Sequence, residues 1–254
     1  METTIADKKH KDGRILTYRH KEWVRICHWI TAICVLTLLV TGVFILLSHP
    51  RLYWGEDGFF GDPAFISFGN WEWANLNGIS RSYHFLAAWI LVITGAVYVV
   101  LSLAKGYARK TLLPSKDQLK PSHLWSEFKG HAQFKIARGD EARRYNVFQK
   151  ISYIVVLFIF LPLMVLSGLA MSPAVTASYP EIFSIFGGRQ SARTIHFLIA
   201  SALLLFFLVH MFQVVLVGFK DSIRAMTTGW HALPPVIPPK TKAKADLSAE
   251  GETK

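Results

Sequence analysis

The sequence contains little cysteine, with only Cys27 and Cys34 among its 254 residues. Both lie in one long apolar stretch, seven residues apart. On a helix this spacing is about 10 Å along the axis, which is too far for a disulfide bond. An internal disulfide is therefore excluded, and packing within a helix bundle is the expected role of both thiols.

Acidic residues are absent from the most apolar parts of the chain. None of the 17 Asp and Glu residues falls in four long apolar stretches. These stretches are residues 23–47, 83–103, 148–171 and 194–219. Proton relays within membranes usually include carboxylates, so their absence argues against a proton-coupled transporter.

Each apolar stretch is long enough to be a transmembrane helix. The stretches contain 21 to 26 residues, and about 20 helical residues cross a hydrocarbon core of about 30 Å. The chain is 52% hydrophobic with a mean hydropathy of +0.30, which is too apolar for an ordinary soluble domain. The sequence therefore predicts an all-α integral membrane protein, a four-helix bundle over residues 23–219 with no separate soluble domain.

Basic residues are scarce on one predicted side of this bundle. Four spans place both termini on one side, together with the connection between the second and third spans. That side carries 24 of the 28 Lys and Arg residues. The other side carries only Arg51, Arg81, Arg189 and Arg193. The positive-inside rule therefore predicts that both termini are cytoplasmic, and the net charge of +11 does not indicate a nucleic-acid partner.

Three cytoplasmic segments flank or connect the predicted spans. Residues 1–22 form a basic N-terminus, and the first helix is expected to be retained because no small-residue cleavage site follows it. The connection 105–147 is predicted to contain an amphipathic surface helix at about 122–137. Residues 220–254 are rich in proline and lysine and are predicted to form a disordered tail.

The outer segment between the first two spans, residues 48–80, is rich in aromatic side chains. These are Tyr53, Trp54, Phe59, Phe60, Phe65, Phe68, Trp71 and Trp73. One interpretation is a belt that lies flat at the membrane surface. The other is a docking surface for an extracytoplasmic partner.

An arginine precedes a histidine by three residues at three places where an apolar stretch begins. The pairs are Arg25 with His28, Arg81 with His84, and Arg193 with His196. A fourth histidine, His210, follows His196 by 14 residues, which places it on nearly the same helix face about 21 Å further along. Histidines on one face at two depths are the ligands that two stacked haems require.

Predicted depth sorts these histidines into two pairs. His84 and His196 lie near the outer ends of their helices, whereas His28 and His210 lie toward the cytoplasm. Each pair joins two helices, as bis-histidine ligation of haem iron requires. A single intramembrane histidine is often only a hydrogen-bonding core residue, but two depth-matched pairs favour haem ligation. The third span has no histidine and is expected to pack as a wall.

Arginines and glycines extend the predicted haem sites. Arg25, Arg81 and Arg193 lie about one turn from their histidines, where a guanidinium suits a haem propionate. Anchoring at the interface is the alternative role. Gly42 and Gly95 are predicted at the depths of the outer and inner haem, where a missing side chain lets the porphyrin approach the backbone. Close helix contact is the alternative for both.

The motif R-I-C-H-W at Arg25–Trp29 and the two histidines of the fourth stretch resemble those of bacterial dihaem cytochromes b. This family includes b561-type cytochromes, the cytochrome b subunit of nickel–iron hydrogenases and the gamma subunit of respiratory formate dehydrogenase. The similarity covers all four stretches, and the family pairs its histidines as depth predicts here. The stretch His49–Gly55 further resembles thiosulfate-reductase-type cytochrome b subunits, which are linked to molybdenum enzymes.

The resemblance implies a respiratory electron-transfer subunit with two haems b. It implies electron flow between the quinone pool and an extracytoplasmic oxidoreductase of molybdenum-enzyme or hydrogenase type, with no substrate-converting site apart from quinone. A quinone site near the cytoplasmic haem is also implied, for which His20, Lys21 and Trp23 are candidates. The alternatives are a self-contained superoxide:quinone oxidoreductase of the same fold, and a haem-free membrane anchor or proton-coupled transporter.

Overall fold

The computed structural model describes residues 7–9, 14–58, 63–69, 77–107, 113–133 and 146–232. Some residues named above lie outside these ranges. They are Phe59, Phe60, Trp71 and Trp73 of the outer segment, residues 134–137 of the predicted surface helix, and residues 233–254 of the predicted tail.

Helices make up most of the described chain. They are α1 (Glu22–Ser48), α2 (Asn77–Ala104), α3 (Pro121–Ala132), α4 (Val147–Val155), α5 (Leu161–Ala170), α6 (Pro173–Ser178), α7 (Ile182–Phe186) and α8 (Arg189–Thr228). The strands are β1 (Lys8–Lys9), β2 (Ile15–Tyr18), β3 (Arg51–Leu52), β4 (Ile66–Ser67) and β5 (Trp230–Ala232). A π-helical segment, Val156–Phe160, joins α4 to α5.

Four helical spans of the described residues are long and apolar enough to cross a membrane. They are α1, α2, the third span from α4 to α5, and α8. The protein is thus mostly helical with four candidate membrane spans, as the sequence predicts. The largest difference is in α8, which begins at Arg189 and continues to Thr228 rather than covering only 194–219.

The spans expose apolar side chains and bury small or hydroxyl-bearing ones. Ile33, Val100 and Leu205 are 65%, 62% and 63% exposed, whereas Thr94 and Ser167 are buried. In lipid, apolar side chains gain little by turning inward, and small or hydroxyl-bearing residues let helices approach closely. This surface is therefore suited to contact with hydrocarbon.

The spans pack as two neighbouring pairs. α1 packs along α2, and α5 packs along α8. A smaller contact joins α1 to α8. The fourth span therefore touches both pairs, and from this position it can contribute side chains to sites at two depths.

The third span changes helix type just before its proline. Its start is capped by Asn146, whose side chain accepts a hydrogen bond from the Gln149 amide at 2.8 Å. In an α-helix, a proline ring clashes with the carbonyl four residues earlier. The π-helical segment precedes Leu161 and Pro162, so the span accommodates its proline through a local change of helix type.

The helix predicted between the second and third spans is shorter than expected. α3 covers Pro121–Ala132 rather than 122–137. The Glu127 carboxylate accepts a hydrogen bond from the Val147 amide at 3.1 Å and contacts His123 at 3.0 Å. α3 is therefore attached to the start of the third span, where a carboxylate satisfies a free helix amide.

The N-terminal and C-terminal parts of the described chain meet in one antiparallel sheet, in the order β1–β2–β5. Tyr18 of β2 pairs with Trp230 of β5. Gly229 turns the chain from α8 into β5 with φ of 87°, and its carbonyl accepts a hydrogen bond from the Arg19 amide at 2.9 Å. Both parts therefore lie at the same end of the bundle.

The prediction of a disordered tail from residue 220 is wrong for its first part. Residues 220–228 continue α8, and Trp230–Ala232 form β5. Composition alone does not predict that these residues form regular structure, because the partner of β5 is a strand more than 200 residues earlier in the chain.

A break at Gly218 separates this extension from the membrane part of α8. Gly218 has φ of 125° and ψ of 101°, a conformation that L side chains rarely adopt. Beyond the break, Asp221 forms ion pairs with Arg14 at 2.6 Å and Arg224 at 2.8 Å. The ion pair with Arg14 ties the N-terminal segment to the end of α8.

The outer segment is fastened to the start of α8. The Thr194 hydroxyl donates to the Tyr53 carbonyl at 2.6 Å, and the Gly55 amide donates to the Ser191 hydroxyl at 2.8 Å. The short β3–β4 hairpin buries Leu52 completely. Part of this aromatic segment is therefore structural, since Tyr53 is 9% exposed.

We expect the terminal sheet to lose stability in acid. Burial is the main cause that lowers the pKa of His231 to about 4, with Arg19 and Arg224 also lowering the pKa and Asp221 raising it. In the unfolded chain this histidine takes up a proton near pH 6.5. The unfolded state therefore binds more protons between about pH 6.5 and 4, and stability falls as the pH falls through this window.

Thermal unfolding in detergent, followed at pH 7.5, 6 and 5, measures this loss. His231→Gln is neutral at every pH and should reduce the slope of Tm against pH. At pH 7.5, where His231 is uncharged in both the folded and the unfolded state, H231Q serves as its own reference for the effect of the substitution itself. An unchanged slope in H231Q contradicts the assignment.

Candidate functional site

Four histidines form two facing pairs within the bundle, and these are the pairs predicted from depth. His84 of α2 faces His196 of α8, with ring centroids 6.3 Å apart and planes 55° apart. His28 of α1 faces His210 of α8, with centroids 6.4 Å apart and planes 57° apart. Two pairs on different helices share nearly the same geometry, and α8 contributes one member to each.

The separation of the rings fits a metal ion held between two imidazoles. Metal–nitrogen bonds of about 2 Å, with each ring centre about 1.1 Å beyond its nitrogen, place the two centres about 6.3 Å apart. Among the described residues, no three His, Cys, Asp or Glu side chains form a metal-binding group. A pair of imidazoles suits the two axial positions of haem iron, whereas a zinc site uses three or four protein ligands.

Each imidazole of the outer pair lies beside a hydroxyl. Nδ1 of His84 is 2.9 Å from the Thr41 hydroxyl, and Nδ1 of His196 is 2.9 Å from the Ser167 hydroxyl. Thr41 donates its own hydrogen to the Thr37 carbonyl at 2.7 Å. Ser167 likewise donates to the carbonyl of residue 163 at 2.6 Å.

These contacts determine which nitrogen of each outer imidazole carries the hydrogen. A hydroxyl has one hydrogen, and here it is directed to the helix carbonyl four residues earlier. The hydroxyl oxygen therefore accepts a hydrogen bond from Nδ1–H of the imidazole. Nε2 is left with a free lone pair, which is the form that binds iron.

A glycine follows each of these hydroxyl residues and lies against the same imidazole. A Cβ on Gly42 would be 3.6 Å from Cε1 of His84, and a Cβ on Gly168 would be 3.5 Å from Cε1 of His196. Gly42 thus lies at the depth of the outer pair. A Cβ on Gly95 would meet no atom within 4 Å.

The third span contributes to this site, which was not predicted from its sequence. That span has no histidine, as the sequence shows, but Ser167 and Gly168 make it a partner of His196 rather than a plain wall. The shared pattern of a hydroxyl residue before glycine, in Thr41–Gly42 and Ser167–Gly168, was the available signal.

The inner pair has aromatic rather than hydroxyl neighbours. Phe206 stacks on His210 with ring centroids 6.2 Å apart and planes 14° apart. Trp29 meets His28 edge to face at 5.3 Å, and its indole nitrogen donates to the Met226 carbonyl at 3.0 Å. Nδ1 of His28 is buried and has no hydrogen-bond partner within the described part of the chain.

Two of the three predicted propionate-binding arginines contact backbone carbonyls. Arg193 donates to the carbonyls of Arg51, at 3.1 Å, and His49. Arg25 donates to the Thr227 carbonyl and lies 3.8 Å from the Glu22 carboxylate. Arg81 is exposed on α2. Arg193 therefore fastens the outer segment to α8, and Arg25 joins α1 to the end of α8. The sequence pattern does not reveal either role.

The three residues considered for a quinone site lie at the start of α1, on the side of the inner pair. Nδ1 of His20 and Nε1 of Trp23 are buried and have no hydrogen-bond partner among the described residues. Trp23 packs against Tyr98 at 5.5 Å and Tyr107 at 5.4 Å. Lys21 is the residue that precedes the helix. Their unsatisfied buried polar atoms distinguish His20 and Trp23 from Lys21.

Membrane-length helices that bring imidazoles together in facing pairs define a membrane-embedded cytochrome b. The chain belongs to the prokaryotic cytochrome b561 family, whose sequence profile matches residues 19–229. Membership in this family implies haem b as a cofactor and a role as a membrane electron-transfer subunit. The protein is a multi-pass bacterial membrane protein.

Two relatives cover most of the chain. One, from Azospira oryzae, is named "Putative protein-methionine-sulfoxide reductase subunit YedZ1" and is 29% identical over 198 residues, which cover 78% of this chain and 90% of the relative. The other, from Cupriavidus necator, is named "Probable Ni/Fe-hydrogenase B-type cytochrome subunit" and is 24% identical over 227 residues, which cover 85% and 86% of the two chains.

Enlarging the side chain at Gly42 should displace His84. A Cβ there is already at contact distance from the imidazole, so the branched side chain in Gly42→Leu has to push the ring away. Gly42→Leu is expected to bind one haem fewer per chain than the unmodified protein. Gly42→Ala, which makes only an ordinary contact, should retain full haem content.

A pyridine haemochrome assay with a protein determination measures the haem content. Gly130→Leu on α3, where a Cβ meets no atom within 4 Å, controls for the added side chain. Full haem content in G42L shows that the glycine is not needed for the placement of His84.

Proposed function

We propose that this protein carries electrons across the membrane through two haems b, between the quinone pool and an extracytoplasmic oxidoreductase. The observation that carries the proposal is the pair of matched imidazole sites, with ring centroids 6.3 and 6.4 Å apart. His84 and His196 hold the outer haem, and His28 and His210 hold the inner haem. When bound, each haem iron supplies one-electron oxidation and reduction.

The histidines restrict the chemistry at these sites to electron transfer. An iron with an imidazole on each side has no free position for oxygen or another substrate. The two ligands on α8 are 14 residues apart, which is about 21 Å along the helix. Two haems on these levels give electrons a path from one membrane surface to the other.

The distribution of basic residues supports the orientation. The end of the bundle with the terminal sheet carries the N-terminal and C-terminal segments, and most Lys and Arg residues of the sequence flank this end. The positive-inside rule assigns this end to the cytoplasm. His28 and His210 then form the inner site, and the aromatic segment lies outside.

Quinone is proposed to bind at the cytoplasmic end, beside His20 and Trp23. Burial is the main cause that lowers the pKa of His20 to about 3, with Arg19, His231, His28 and Arg25 adding to the effect. His20 is therefore neutral at physiological pH. Its Nδ1 can accept a hydrogen bond from a quinol hydroxyl, and the Trp23 indole N–H can donate one to a quinone carbonyl.

An extracytoplasmic oxidoreductase subunit is the proposed partner, of molybdenum-enzyme or hydrogenase type. The names of the two relatives describe subunits of a reductase and of a hydrogenase. In the outer segment, Trp54 and Phe65 are 48% and 53% exposed and meet edge to face at 5.4 Å. Such an exposed aromatic pair suits a protein interface.

Haem content tests the four ligands. The purified protein should contain two haems per chain and show a sharp low-spin b-type band in the dithionite-reduced minus oxidised spectrum. His84→Ala and His28→Ala should each retain one haem, because each removes one ligand from a different pair. His123→Ala is the control and should retain both. A colourless, well-folded protein overturns the proposal in favour of a haem-free membrane anchor.

Quinol-driven haem reduction tests the quinone site. His20→Gln and Trp23→Phe each remove one polar contact and should slow reduction by a quinol in proteoliposomes about fivefold, the effect of one neutral hydrogen bond. Reduction by dithionite should be unchanged in both. Trp125→Phe on α3 is the matched control for Trp23→Phe, and equal slowing in both variants rules out a specific role for Trp23.

A further inference from the structure

The two histidine pairs differ in the hydrogen bonding of the ring nitrogen Nδ1. Both outer imidazoles have a hydroxyl oxygen at 2.9 Å from Nδ1. At the inner pair, Nδ1 of His28 is buried, and no described residue hydrogen-bonds to it. Centroid separations and ring angles are otherwise alike, so the hydroxyls are the main chemical difference between the two sites.

The hydroxyls can act only as acceptors toward these rings. Thr41 directs its hydrogen to the Thr37 carbonyl at 2.7 Å, and Ser167 directs its hydrogen to the Leu163 carbonyl at 2.6 Å. Each oxygen still has a lone pair, which faces Nδ1. The outer imidazoles therefore donate hydrogen bonds from Nδ1 in both cases.

We propose that Thr41 and Ser167 are positioning residues that hold the outer imidazoles in the iron-binding tautomer and lower the midpoint potential of the outer haem. This inference rests on the proposed haem ligation by His84 and His196. Thr41 is on α1 and Ser167 on α5, so the two helices that do not ligate the outer haem each bond to one of its ligands.

The effect follows from the electron density on the ligand. An acceptor at Nδ1–H draws the hydrogen away from the ring and makes the other nitrogen, Nε2, a stronger donor to iron. A stronger donor stabilises ferric more than ferrous iron, so the potential falls. Hydrogen bonding near the ligands is one of the means by which proteins set haem potentials.

A redox titration of the purified haem-loaded protein, followed by its absorption spectrum, tests the proposal. His84→Ala identifies the outer component as the one that disappears. Thr41→Val and Ser167→Ala each remove one hydroxyl, and each should shift the outer midpoint to higher potential while the inner midpoint stays the same. The double variant should shift it further than either single variant.

Matched controls separate this effect from general perturbation. Thr37→Val and Ser201→Ala remove hydroxyls that bond to carbonyls of their own helices, at 2.9 Å in both cases, and they should leave both midpoints unchanged. Thr41→Ser and Ser167→Thr keep a hydroxyl and should restore the original outer midpoint.

Each possible result of the titration and of the haem determination supports or overturns the proposal. Two bound haems with an unmoved or lowered outer midpoint in T41V and S167A overturn the role of the hydroxyls and leave the proposed function intact. Loss of the outer haem in T41V but not in T41S supports the positioning role, whereas loss in both shows that packing alone matters. Absence of haem from the unmodified protein overturns the proposed function and this inference together.

Discussion

The structure depends on the placement of two imidazoles on one helix, α8. His196 and His210 lie on nearly the same face of that helix, and each requires a partner from a different helix at its own depth. α2 supplies the outer partner and α1 the inner one. α8 packs along α5 and also contacts α1, and from this position its two histidines face α2 and α1.

The membrane explains why the site can be built from small residues. Because the lipid-facing surface takes up the large apolar side chains, the interior is left to residues such as Thr41, Gly42, Ser167 and Gly168. These residues allow the helices to approach the imidazoles closely and to hydrogen-bond to them. The same interior would be poorly packed in a soluble protein, which relies on large apolar side chains for its core.

At each end of the bundle, contacts join segments that are distant in sequence. At one end, β2 and β5 pair and Asp221 holds Arg14 and Arg224. At the other end, the outer segment is bonded to the first turns of α8. Both sets of contacts fasten loops to α8, which carries a ligand for each proposed haem site, and they limit its movement relative to the other spans.

The sequence by itself determined the four spans, their apolar surface and the pairing of the histidines. Length and hydrophobicity decide a span locally, and on a straight helix the depth of a residue follows from its position. The tertiary structure alone decided that Ser167 meets His196, that Arg193 contacts two backbone carbonyls, and that residues 230–232 form a strand. These contacts join residues between 29 and more than 200 positions apart, and no local pattern encodes the rotation and approach of one helix toward another.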